Sequence, residues 1–164
     1  MTNRNNVSDD HRRFMSEAIR LSVSEMMDNN GGPFGAVIVR DGEIVSHGFN
    51  CVTSRKDPTS HAEIVAIRNA CQELDTFQLS DCQLFTSCEP CPMCLGAVYW
   101  ARLNEVFYAC TRDDAAKFGF DDEFMYREIS QPIAQRRMPM FQILREEALE
   151  AFRLWDMKGD RIQY

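Results

Sequence analysis

The feature that most constrains this chain is a divided set of metal-ligand side chains. One part is Thr59-Ser60-His61-Ala62-Glu63, and the other is Ser87-Cys88-Glu89-Pro90-Cys91-Pro92-Met93-Cys94. A Cys-x-x-Cys pair gives a zinc ion only two of the ligands it needs, so a fold that uses the pair must bring another from elsewhere. Pro92 suits the first position of a helix, which makes Cys91 the cap and sets Cys94 three residues on, on the same face. Both sulfurs then stand at the positive end of a helix dipole, which favours the thiolate form that a metal requires. Of the three histidines, His11 falls in the charged first turn of an opening helix and His47 on an alternating strand. His61 comes after a loop and begins a helix, where an imidazole can reach across the end of a sheet.

One His and two Cys make three protein ligands and leave a fourth position for water. That is the pattern of a catalytic zinc, whereas structural sites fill all four positions. Glu63, two residues from His61, supplies a carboxylate beside the metal but not on it, placed to take and return a proton. Residues two apart diverge by about 200° on a regular helix, so the metal must sit over the helix end. Blander readings stand beside this one. Ser60 and Glu63 spell a capping box, His61 alone reads as a surface or capping histidine, and a lone Cys-x-x-Cys can be redox-active or structural. If Cys88 joined His61, Cys91 and Cys94, the site would be a closed Cys3His centre and the chain a zinc-stabilised interaction module. A strand end followed by Glu-Pro should instead point Cys88 away from the other two sulfurs.

Periodicity predicts an amphipathic helix from Ser8-Asp9-Asp10 to Asn29-Asn30-Gly31-Gly32, carried by Phe14, Met15, Ala18, Ile19 and Met26. Strands are expected next at 34–40 and 43–50, joined by the hairpin dipeptide Asp41-Gly42. After a loop at 55–59 come a helix at 61–74, a strand at 82–87, a helix to about residue 102 and a strand at 105–110. The strand-helix-strand order favours an α/β layered sheet with a parallel crossover. A helix broken at Gly119 is expected over 112–127, a last short strand at 139–144, and a terminal helix at 145–158 ending at Gly159. Without a repeat or long linker, 1–164 reads as one domain.

Lys and Arg number 18 against 25 Asp and Glu, a net charge of -7, so the overall field repels polyanions and a small uncharged substrate fits better than nucleic acid. The densest basic pair in the C-terminal half is Arg136-Arg137. No apolar run approaches the roughly 18 residues of a membrane span, and the polar residues 1–10 carry no secretory signal. A cytoplasmic protein with no membrane partner is the expectation. Seven cysteines, an odd count in such a chain, argue for metal chemistry over a disulfide framework.

His-x-Glu followed by Pro-Cys-x-x-Cys is the signature of zinc-dependent nucleobase deaminases. With Gly31-Gly32-Pro33-Phe34-Gly35-Ala36-Val37, Asp57-Pro58-Thr59, Cys88 to Ala97, and Gly119-Phe120-Asp121-Asp122, the chain resembles the cytidine-deaminase-like superfamily. Within it, the chain is similar to the short bacterial guanine deaminases, apart from Ser60, where close relatives often carry Ala. The resemblance implies a three-layer α/β/α fold with a mixed five-stranded sheet and one zinc per subunit. It also implies a homodimer that exchanges its C-terminal helix and tail, residues 145–164. The implied reaction is zinc-dependent hydrolysis of guanine to xanthine and ammonia, a step of purine metabolism, with guanosine or another nucleoside or base as the alternative substrate. The resemblance makes Asn50 the anchor of the base and Phe34 and Trp100 parts of the pocket wall. Asp122 would meet the exocyclic amine, and Tyr164 would cover the ring.

Overall fold

The computed structural model describes residues 7–120 and 122–163, which group into two compact units that divide between Glu123 and Phe124. In the first unit, helix α1 (Asp9–Met27) starts where Ser8 and His11 cap each other. The Ser8 hydroxyl accepts from His11 N at 3.1 Å while the imidazole accepts from Ser8 N at 3.2 Å, so His11 fills the place that Glu or Gln takes in the usual capping box. Strands β1 (Gly35–Arg40) and β2 (Glu43–Phe49) pair antiparallel. The residues between them, Asp41 and Gly42, have φ of 51° and 79°, the left-handed pair a tight hairpin turn requires. After the short helix α2 (Val52–Arg55) comes α3 (Ala62–Glu73). Strand β3 (Cys82–Cys88) pairs antiparallel with β1, and helix α4 (Pro92–Trp100) crosses over to β4 (Glu105–Cys110), parallel to β3.

The sheet order is β2-β1-β3-β4, which corrects the expected five strands to four among the described residues. The fifth strand, expected at 139–144, does not form. That segment makes no ladder, and Phe141, Ile143 and Leu144 are exposed. Apolar content alone does not make a strand without an edge to pair with, and Pro139 has no N–H to donate.

Alternation along β1 sends its side chains into two cores. Ala36 and Ile38 pack with Ala62, Ala66 and Val98 beneath α3 and α4. Val37 and Val39 pack with Phe14, Leu21 and Phe85 beneath α1. The central strand is thus covered on both faces, and this unit is an α/β/α sandwich. Gly48 of β2 is where α3 comes closest: a Cβ there would lie 2.1 Å from Ala62 O.

The expected break at Gly119 (φ 88°) separates α5 (Arg112–Lys117) from α6 (Glu123–Ser130). The second unit continues through a 3-10 turn (Ile133–Gln135) to α7 (Arg145–Met157). Arg136 donates to Gln131 O and Ile129 O at 3.1 and 3.2 Å, capping the end of α6. Among the described residues no helix is long and apolar enough to cross a membrane.

Candidate active site

Helices α3 and α4 both begin at a ligand. His61 and Cys91 are the N-cap residues, with extended ψ of 157° and 169°, and neither side chain caps its own helix. A cap side chain normally turns back to the first-turn N–H groups; these two are left to point at each other. His61 Nδ1 lies 3.6 Å from Cys91 Sγ and 3.5 Å from Cys94 Sγ, the latter one turn into α4. As His61 precedes the helix, the 200° divergence between it and Glu63 does not arise. The alternative capping box does not form either, since the Ser60 hydroxyl donates to Asp57 Oδ2 at 2.7 Å.

The three ligand atoms lie within 4.8 Å of one another, the spread a single small cation can bridge. The charges of the pair point the same way. Cys91 is pulled down to about 4, chiefly by its hydrogen bond with Cys94, with burial opposing and His61 assisting. That bond and burial push Cys94 up. The two sulfurs thus resist carrying negative charge together, and a dication between them is what would allow both to be thiolates. The hydrogen bond with Cys91 raises His61 against the effect of burial. An imidazole and two sulfurs at this spacing fit zinc.

Cys88 stands apart, as expected. Its Sγ faces Thr111 O at 3.7 Å, and burial, with Cys110 nearby, pushes its thiol up to about 12. Its strand partner across β3 and β4 is Cys110. It is not one of the three clustered ligands, so the closed Cys3His site is not formed.

Glu63 is buried beside the triad, with Oε2 accepting from Cys94 Sγ at 3.4 Å, and burial pushes its carboxyl up. It shares with His61 and Cys91 a cavity of about 370 Å³, at the small end of ligand sites. Asn50 and Phe34 line the same cavity. The Asn50 Oδ1 accepts from Gly32 N at 3.2 Å and Val52 N at 3.3 Å, so its oxygen is engaged and its NH2 donors remain for a ligand. Asp122 also lines the cavity, and its buried Oδ1 has no hydrogen-bond partner among the described residues. Burial raises its carboxyl, with the nearby Cys91 charge adding to the effect.

Trp100 is not brought to this cavity; it is 69% exposed at the last turn of α4. Tyr164 lies outside the described residues. Two features went unassigned in the sequence. Phe120 meets Phe34 edge-on with ring centroids 4.9 Å apart; its segment Gly119-Phe120-Asp121-Asp122 carries the resemblance, but nothing in it gave Phe120 a role. Glu89 Oε2 accepts from Arg112 N at 3.1 Å, tying the ligand loop to the start of α5, a pairing that no local pattern announces.

Residues 8–110 match the family model described as the cytidine and deoxycytidylate deaminase zinc-binding region. The chain is 50% identical over 154 residues to guanine deaminase of Bacillus subtilis, covering 94% of this chain and 99% of that one. The X-ray structure of the Bacillus subtilis guanine deaminase superposes with a TM-score of 0.92 over 94% of this chain and 98% of the other. A guanine deaminase from Nitrosomonas europaea is 33% identical, with a TM-score of 0.65, covering 70% of this chain and 65% of that chain. A tRNA-specific adenosine deaminase of Aquifex aeolicus is 40% identical over 96 residues, 58% of this chain and 63% of its own.

Proposed function

This chain belongs to the cytidine and deoxycytidylate deaminase zinc-binding family, and we propose that its reaction is the hydrolysis of guanine to xanthine and ammonia. The observation that carries the chemistry is a buried carboxylate, Glu63, 3.4 Å from the Cys94 sulfur yet outside the His61, Cys91 and Cys94 cluster. What favours guanine is the reach of the similarity. It spans 94% of the chain for the Bacillus subtilis guanine deaminase but 58% for the Aquifex aeolicus tRNA deaminase. The net charge of -7 also opposes an RNA substrate.

Zinc held by His61, Cys91 and Cys94 supplies the Lewis acidity that makes water a nucleophile near neutral pH. Glu63 takes a proton from the attacking water as its oxygen bonds to C2 of the purine, and passes that proton to the ring nitrogen. Glu63 then carries the proton of the new C2 hydroxyl to the exocyclic nitrogen, the C2–N bond breaks, and ammonia departs as the C2 carbonyl forms. Asp122 acts at this amine, whose N–H meets the Oδ1 that has no other partner among the described residues. The Asn50 NH2 donates to the acceptor edge of the base, and Phe34 with Phe120 walls the ring.

The working unit on this reading is a homodimer, with 1–164 as one domain and the segment 145–164 exchanged so that Tyr164 closes the partner's site. Two observations support exchange. Strand β4 is an open edge of the sheet, and Met138, Phe141, Ile143 and Phe152 are exposed. The seven cysteines are free thiols, in keeping with a reducing cytoplasmic setting.

The test is ammonia release from guanine, guanosine, adenine and cytosine by the zinc-loaded chain. Guanine should be turned over fastest. A preference for guanosine would move the substrate to the nucleoside, and no release from any of the four would overturn the proposal.

A further inference from the structure

A metal-binding histidine is usually aimed by what its second ring nitrogen touches, commonly a carboxylate or a carbonyl that accepts its N–H. Here His61 uses Nδ1 toward the sulfurs, and among the described residues no hydrogen bond reaches Nε2. Its side chain does not cap α3 either. The direction of the ring is therefore set by its backbone, and the question is what holds that backbone.

The answer lies in one carboxylate. Asp57 Oδ1 accepts from Thr59 N at 2.8 Å and from Thr59 Oγ1 at 2.7 Å, and Oδ2 accepts from Ser60 Oγ at 2.7 Å. All three donors belong to the two residues immediately before His61. Main-chain bonds complete the turn: Ser60 N donates to Asp57 O at 3.1 Å, His61 N to Thr59 O at 2.9 Å, and Cys51 N to Ser60 O at 2.9 Å. Ser60 is fully buried, so its hydroxyl has a single fixed direction. Arg68, from the middle of α3, approaches Asp57 Oδ2 to 3.9 Å and Thr59 Oγ1 to 3.5 Å, linking the turn to the helix it precedes.

We propose that Asp57 is a positioning residue for the metal site, fixing the direction of His61 through Thr59 and Ser60. Ser60 is its inner contact and Thr59 its outer one. The role concerns metal retention and stands on the zinc reading alone, so it survives or fails independently of which base is deaminated.

The test is the rate at which zinc passes from the loaded full-length chain to a chromogenic chelator, with the melting temperature of the metal-free protein recorded in parallel. Asp57→Ala should release zinc about 10- to 100-fold faster, the range expected on loss of a support to a metal ligand. Ser60→Ala removes one neutral-to-charged contact without changing shape and should give about 2- to 10-fold. The double substitution should be no faster than Asp57→Ala, because the Ser60 hydroxyl has then already lost its acceptor. Asp57→Asn keeps an oxygen for Thr59 and should recover most of the retention. In cobalt-loaded protein, the ligand-field bands should shift for Asp57→Ala and return for Asp57→Asn. A merely structural role predicts a lower melting temperature with zinc release unchanged, and that result would overturn the proposal. If Asp57→Ala does not fold, Ser60→Ala decides, and wild-type zinc release from it would likewise overturn the proposal.

Discussion

Replacing Gly48 with alanine tests whether the α3–β2 contact sets the geometry of the site. A Cβ at this position would stand 2.1 Å from Ala62 O, 2.4 Å from Ala66 N and 2.9 Å from the Ala66 Cβ, where ordinary contact begins at 3.4 Å. The first turn of α3 must therefore retreat by about 1.3 Å along that direction. Ala62 lies between His61 and Glu63, so both move with it while Cys91 and Cys94, at the start of α4, stay. Ser46 Oγ, bonded to Ala66 O at 2.7 Å, resists the retreat from the same strand. Overpacking of this kind costs about 1–3 kcal/mol, which for a chain of this length lowers Tm by roughly 2–12 °C. A misplacement of about 1 Å at a reacting group costs about 100-fold in rate. Gly48→Ala should thus lose about two orders of magnitude in kcat for ammonia release and hold zinc less tightly. Full zinc and a kcat within twofold of wild type, at any melting temperature, would show that the strand yields instead of the helix and would refute a geometric role for this contact.

Glu63→Gln should keep zinc and fold, since the amide fills the same buried space, while turnover falls about 10²- to 10⁴-fold; steady-state kinetics with metal analysis checks both. Cys88→Ser should retain zinc, because this sulfur faces Thr111 O and not the ligand cluster; metal loss measured by elemental analysis would return Cys88 to the ligand set. Hydrogen bonds from Ser60 and Thr59 hold Asp57 at about 2, below its ordinary 3.8. A depressed carboxylate stabilises the fold fully above pH 3.8 and loses that contribution as pH falls through 2. The melting temperature of metal-free Asp57→Asn should therefore lie below that of wild type at about pH 5, with the gap closing toward about pH 2. A gap independent of pH would refute the assignment of the shift.

Much of the site is local and legible in the sequence. Pro92 after Cys91 announces a helix start, and a helix start fixes where Cys91 and Cys94 point. The hairpin at Asp41-Gly42 and the break at Gly119 arise from residues that tolerate positive φ. The first turn of α3 is harder to read. Ser60 and Glu63 have the spacing of a capping box, but cap identity depends on which residue leaves helical dihedrals, and here that is His61. Glu63 thereby becomes the second helical residue and its side chain is freed for the cavity. The Asp57 turn is equally local, yet its meaning depends on the imidazole it aims at two sulfurs some thirty residues away along the chain. The contact of Phe34 with Phe120 and the tie from Glu89 to Arg112 N join segments distant in sequence, which no periodicity encodes. The missing fifth strand is a different matter, because a strand is a relation between two edges and residues 139–144 supply only one.

The metal cluster and Glu63 define a machine for exchanging an amino group for oxygen, and nothing in them selects a base. Selection must come from the polar atoms the cavity leaves unspent. Two backbone N–H groups occupy the Asn50 oxygen, so Asn50 can only donate inward. Asp122 Oδ1, buried and without a hydrogen-bond partner among the described residues, can accept. Guanine carries acceptors at O6 and N7 and a donor amine at C2, so an inward donor and an inward acceptor are both used. Adenine lacks the carbonyl, and its only exocyclic donor is the amine at C6 beside N7. On the proposed reading, losing either group would leave a buried polar atom of the substrate unpaired, which costs about 1–3 kcal/mol, roughly five- to 150-fold in kcat/KM. Asn50→Ala should therefore narrow the preference for guanine over adenine, whereas Asp122→Ala, at the amine that either base presents, should slow both. If the preference stays unchanged in Asn50→Ala, the selecting atoms lie elsewhere, and Tyr164 with the exchanged segment becomes the place to look.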